Sequence, residues 1–180
     1  QINTQNSAMF SKWTVKDIKR RANLKTALVH KLKESTIKSM PRFAEIADDL
    51  LPKKTPVIIH HLGDHITMYS IHGIIILIQL GDGTIFPQLK LPIEYPGLLP
   101  SVFCYDVAVE AILRGADLMA RGTFGVDENF QKGQVVQVCL MNETVPFAVG
   151  IMAMSGDEVL KGPSGAAVKI LHTLKDGLWE

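Results

Sequence analysis

Two cysteines, six histidines and three pairs of adjacent carboxylates are the residues on which catalysis or metal binding would have to rest. His60, His61, His65 and His72 fall within thirteen residues, which invites a metal reading. Neighbours on a strand point to opposite faces, however, so His60 and His61 cannot share a site there. Cys104 and Cys139 are distant from each other and no Cys-x-x-Cys pair exists, whereas zinc ligands usually come in tight pairs. Cys139 sits mid-strand in Val138-Cys139-Leu140 and reads as packed core; Cys104, beside Tyr105 near a linker, is expected to be partly exposed. Neither has the local base or electropositive setting that a nucleophilic thiol needs. Asp48-Asp49, Asp127-Glu128 and Asp157-Glu158 read as solvated helix ends and loops. There is no P-loop, no strand–glycine–helix fingerprint and no Gly-x-Ser-x-Gly elbow. The expectation is a protein that is not an enzyme and carries no metal or cofactor.

Charge is more informative. The net charge of +1 over 180 residues conceals an asymmetry: residues 1–56 hold 12 Lys/Arg against 5 Asp/Glu, and residues 57–180 hold 7 against 13. A basic end on an otherwise acidic chain suits a polyanion partner, and a solvated basic helix without a partner is the plainer alternative. The basic candidates are Lys12, Lys16, Lys19, Arg20, Arg21, Lys53 and Lys54. In the second half Arg114-Gly115 and Arg121-Gly122 flank one loop, where glycine lets backbone approach a phosphate or simply makes a turn.

The elements that must position these residues follow from periodicity. Hydrophobic residues make up 47% and charged ones 21%, which is a globular composition. No apolar run approaches the ~20 residues of a membrane span, and two cysteines make no disulfide framework, so a cytoplasmic protein of a reducing compartment is expected. Residues 1–8 read as a disordered leader or tag. Thr14, with Asp17 three residues on, caps an expected amphipathic helix or helix pair through Val15, Ile18, Ala22, Leu24, Leu28 and Leu32. Pro41 ends it, and residues 43–51 form a second helix. Period two then predicts strands over 57–61, 65–70 and 74–80. Pro87, Pro92, Pro96 and Pro100 mark a boundary, dividing a domain over 9–94 from one over 95–180. Beyond it are expected a helix over 106–114 with Val107 and Ala111 inward, a loop holding Gly122 and Gly125, strands over 134–141 and 145–154, a Ser155-capped helix and a last strand over 168–174. The fold class is α+β: N-terminal helices on a small antiparallel sheet, then a mixed β pseudo-barrel with short helices.

These residues carry a resemblance. Arg114-Gly115-Ala116-Asp117-Leu118-Met119 after a short helix, Val149-Gly150, Met154-Ser155 and the closing run from Leu171 to Trp179 resemble a PUA domain, a small RNA-binding pseudo-barrel. Met9-Phe10, Leu24-Lys25, Pro52-Lys53-Lys54, Tyr95-Pro96 and Leu98-Leu99-Pro100 resemble the pre-PUA domain that precedes it in one family. That family holds ligatin (translation initiation factor 2D) and the malignant T-cell-amplified sequence protein, and the motifs resemble the ligatin type more closely. The resemblance spans residues 9–180. It implies a non-enzymatic factor that binds the small ribosomal subunit and assists tRNA placement or removal at the P site, in unconventional initiation, reinitiation or ribosome recycling. It implies ribosomal RNA at the basic N-terminal face. It also implies the tRNA acceptor end at Arg114, Gly115, Ala116, Arg121 and Lys169. The implied protein partner is density-regulated protein, or an initiation-factor-like C-terminal domain in the same chain, with no membrane. The alternatives are a protein-interaction module without RNA contact, or an accessory region of an RNA-modifying enzyme.

Overall fold

The computed structural model describes residues 9–179, so the expected leader over 1–8 lies outside the described residues. The first half contains β1 (Arg20–Asn23), α1 (Thr26–Ser39), α2 (Ala47–Leu50), β2 (Ile58–His61), β3 (Thr67–Ile71), β4 (Ile74–Gln79), β5 (Ile85–Pro87) and α3 (Lys90–Glu94). Its five strands form an antiparallel sheet in the order β1-β2-β3-β4-β5. The second half contains β6 (Ser101–Cys104), α4 (Asp106–Leu113), β7 (Leu118–Met119), β8 (Thr123–Val126), β9 (Val135–Leu140), β10 (Pro146–Met152), α5 (Gly156–Leu160) and β11 (Ala166–Thr173). Its sheet runs β7-β11-β10-β9-β6-β8, with β6 and β9 parallel and the rest antiparallel. The two edge strands, β7 and β8, are joined by one 3-10 turn, Ala120–Gly122, so the sheet curls toward closure as a pseudo-barrel. The α+β class is the one the periodicity predicts.

Several local expectations are corrected. The helix from Thr14 is a single 3-10 turn, Val15–Asp17; the Thr14–Asp17 capping box forms, but the chain then pairs as β1 against β2. Ala22 and Leu24 fit both periods, and pairing of Ala22 with Ile59 and the bond from Leu24 N to Val57 O decide for the strand. The helix proper begins at Thr26 and buries Leu32 and Thr36, leaving Leu28 exposed. The second helix is split into a 3-10 turn, Pro41–Glu45, and α2. The proline-rich stretch expected to mark the boundary is not among these corrections, and it holds structure of its own. Pro87 ends edge strand β5, where a missing N–H breaks no ladder bond, and Pro92 lies in the first turn of α3. The loop around Gly122 and Gly125 is a 3-10 turn followed by β8. The phase of α4 is also different: Val107 is 83% exposed, Ala111 is exposed, and Ile112 faces the core. Cys104 is fully buried, because β6 lies between β9 and β8. Burial pushes both thiols up to about 11, so neither is a thiolate at neutral pH.

One hydrophobic cluster crosses between the halves. Val135, Val149, Leu171 and Leu178 pack with Phe10, Phe43, Phe86 and Leu89. A second cluster, including Val102, Ile112, Phe130 and Val138, fills the pseudo-barrel. The end of the chain ties the halves together. The Asp176 carboxylate accepts from Thr173 N (2.8 Å), Leu178 N (3.0 Å) and the buried His172 Nδ1 (2.7 Å). Gly177 N donates to Phe10 O at 2.9 Å, and Gln88 Nε2 donates to Leu178 O at 3.0 Å. A Cβ on Gly177 would press into the carbonyls of Trp13 and Phe10. Gly177→Ala should therefore lower unfolding free energy by about 1–3 kcal/mol, read by urea denaturation.

His60 is buried on β2 with Nε2 2.7 Å from Ser70 Oγ. Burial first, and the Arg21 charge second, hold its pKa below the ordinary value. Below pH ~6.5 the unfolded chain therefore takes a proton that the folded chain resists. This contribution to stability is intact above that pH and is lost as pH falls. Denaturation midpoints should drop between pH about 7 and about 5, and His60→Asn should flatten that drop.

Candidate nucleic-acid interface

The seven basic residues of the first half do not form one helical face. Lys12, Lys16 and Lys19 line a groove of about 730 Å3 between the segment 9–19 and the β2–β3 turn at 62–66. All three are exposed. Arg20 and Arg21 continue from it on β1, opposite His61 and His60, and project to opposite sides of the sheet. Lys53 and Lys54 stand apart, on a second groove of about 490 Å3 beside α1. The structure thus brings Lys12, Lys16 and Lys19 together, sets Arg20 and Arg21 on opposite sides of the adjoining edge strand, and places Lys53 and Lys54 apart.

In the second half, the sequence dictates the turn. Arg114 closes α4, and Gly115 follows at φ 95°, a left-handed conformation that glycine adopts without strain. Gly115 N donates to Ile112 O and Ala116 N to Ala111 O, so the last carbonyls of α4 are satisfied by a Schellman arrangement. Asp117 Oδ1 then accepts from Ile170 N at 2.9 Å, and Leu118 pairs with Val168. These two contacts bring Gly115 and Ala116 beside Lys169 on β11. The 3-10 turn bearing Arg121 is held by Ala120 N donating to Gly165 O.

The two arginines are not equivalent. Arg114 pairs with Glu110 at 3.0 Å, one turn back on α4, and both side chains are exposed. Exposed pairs of this kind contribute little stability, but the carboxylate offsets the guanidinium charge. Arg121 is exposed and makes no ion pair among the described residues. Two features escaped sequence reasoning. One is the role of Asp117, whose only signal was an acid just past a helix-ending glycine. The other is an exposed edge-to-face pair, Tyr105 and Phe124, with ring centroids 5.6 Å apart. Nineteen residues separate them, and no local pattern pairs them.

The four clustered histidines diverge: His60 is buried, while His65 and His72 sit at left-handed turn positions. Among the described residues no group of His, Cys, Asp and Glu is placed to hold a metal, and no helix is long and apolar enough to cross a membrane.

An antiparallel sheet with helices, joined to a curled mixed sheet with a helix–glycine turn locked onto its last strand, is the architecture of a pre-PUA-like domain followed by a PUA domain. Residues 14–96 match the Pre-PUA-like domain model, and residues 99–177 match the model described as eIF2D, PUA domain. A solved hypothetical protein from the archaeon Pyrococcus horikoshii superposes with a TM-score of 0.74 at 26% identity, covering 89% of this chain and 98% of that one. A PUA domain structure from Aeropyrum pernix shares the fold, with a TM-score of 0.72, 24% identity and 89% of each chain covered. Translation machinery-associated protein 20 of Saccharomyces cerevisiae is 30% identical over 177 residues, 95% of this chain and 97% of that protein. Malignant T-cell-amplified sequence 1-B of Xenopus laevis is 28% identical over 175 residues, again 95% and 97%. The chain belongs to this family of translation-associated pre-PUA–PUA proteins.

The Asp117 contact supports a direct test of the turn. Asp117→Ala leaves the Ile170 N–H without its acceptor. It should cost about 1–3 kcal/mol and accelerate hydrogen exchange at the Ile170 amide.

Proposed function

We propose that the protein is a non-enzymatic, cytoplasmic translation factor that binds RNA of the small ribosomal subunit and helps place or remove tRNA at the P site. The Lys12, Lys16 and Lys19 groove, continued by Arg20 and Arg21, contacts ribosomal RNA phosphates. The turn at Arg114, Gly115 and Ala116, with Arg121 and Lys169, takes the tRNA acceptor end, read by shape and local contact. Density-regulated protein, or an equivalent initiation-factor-like domain, completes the factor. Such a factor serves unconventional initiation, reinitiation or recycling. The observation that carries this proposal is the locking of the Gly115–Ala116 turn onto β11 beside Lys169, which gives an acidic half a focused site, with Arg121, at the other end of β7, making no ion pair among the described residues. The family membership supports the translational setting.

Co-sedimentation with purified small ribosomal subunits across a salt series tests the first site. Replacing Lys12, Lys16 and Lys19 by Glu should abolish binding at moderate salt. Neutralising them to Gln should lower the log–log salt slope by about 2–3, since each phosphate contact contributes roughly 0.7–0.9. An unchanged slope would remove the groove from the interface. For the second site, Arg121→Ala should weaken tRNA placement more than Arg114→Ala, because only Arg114 is already neutralised. Equal effects would contradict the assignment.

A further inference from the structure

The Lys53–Lys54 groove has a different chemistry from the Lys12–Lys19 groove. Leu24 and Val29, both half-buried, give it an aliphatic floor, backed from beneath by the fully buried Leu51 and Val57. Lys53 and Lys54 are exposed on its rim and make no ion pair among the described residues. They occupy the two central positions of a turn closed by Thr55 N donating to Pro52 O at 3.1 Å. Pro52 and Pro56 stiffen the backbone on either side, so the turn that carries the two lysines has little backbone freedom to lose. Nearby, Lys33 spans from α1 to Asp48, with Nζ 2.7 Å from Oδ1. The Lys33 hydrogen bond and charge, with a smaller contribution from the Lys53 charge, hold the Asp48 carboxyl below the usual carboxylate range, so Asp48 is satisfied chiefly by Lys33. The free positive charge of the groove is therefore that of Lys53 and Lys54.

An RNA backbone would meet the two lysines but leave the aliphatic floor in water. The one ring on the groove, the imidazole of His30, lies 3.5 Å from the Glu34 carboxylate, and no Phe, Tyr or Trp lines the groove to stack a base. The complementary ligand brings carboxylates to the rim and an aliphatic side chain to the floor. We propose that this groove docks an acidic peptide segment of a protein partner, anchored by a leucine-type side chain between Asp and Glu residues. The surface is separate from both RNA sites described above, so the protein can hold RNA and such a segment together.

The probe is a fluorescein-labelled peptide with a Leu-Leu pair flanked by alternating Glu and Asp, titrated with the protein by anisotropy. Binding is expected to weaken about tenfold or more in Lys53→Glu/Lys54→Glu, and similarly when the Leu pair of the peptide becomes Ser-Ser. It is expected to be unchanged when Lys12, Lys16 and Lys19 become Gln. Lys53 and Lys54 lie on an exposed turn, so circular dichroism should show that variant folded. Absent binding to the wild type, or binding that survives the double charge reversal, would overturn the proposal. So would insensitivity to the Leu substitution, which would indicate charge attraction alone. Loss of small-subunit binding in Lys53→Glu/Lys54→Glu without any peptide binding would overturn it too, and return these lysines to the RNA face.

Discussion

The whole structure depends on burying the outer face of β9, β10 and β11 against the first half. Along these strands alternate residues serve two cores. Val136, Val138, Ala148, Met152, Val168 and Ile170 fill the pseudo-barrel. Val135, Val149 and Leu171 join the cluster that contains Phe10, Phe43 and Phe86. A strand with both faces buried must read as a nearly continuous apolar run, and the runs over 135–140 and 146–152 do. Removing apolar area from water on this scale, at about 25 cal/mol per Å2, is far stronger than any surface ion pair in the molecule. The halves consequently share one interior.

The polar contacts at the end of the chain give that burial its geometry. Asp176 folds the terminal turn back on Thr173 and His172, and Gly177 then meets Phe10 while Leu178 meets Gln88. On the far side, Arg42 donates to Gly97 O and pairs with Glu128, bridging the same joint at its surface. Segment 9–13 is held by these contacts and itself walls the lysine groove. The groove is thus shaped by residues more than a hundred positions away.

The second-half site depends on the same strand. Lys169 immediately precedes Ile170, whose N–H is held by Asp117 beside the Gly115–Ala116 turn, and Leu171, two residues on, lies in the core between the halves. A displacement of the joint would move the strand that carries the site. The two candidate sites therefore have a set spacing. A flexible tether would give no such constraint.

Much of this was legible in the residues alone. The capping box of Thr14 with Asp17, the Ser155 cap and the period-two strands all rest on hydrogen bonds or φ limits within a few residues. Charge asymmetry and the helix–glycine turn likewise need no tertiary information. Other outcomes needed partners distant in the chain. Arg20–Asn23 is a strand because β2 pairs with it, and Cys104 is buried because β6 is flanked on both sides. α4 turns Ile112 rather than Ala111 inward because the pseudo-barrel lies on that side. The division of the lysines between two grooves follows from where β1 and the 51–57 segment are packed. Local hydrogen bonding and backbone sterics are written residue by residue, whereas burial and strand pairing are properties of pairs, and only the folded chain decides which pairs meet.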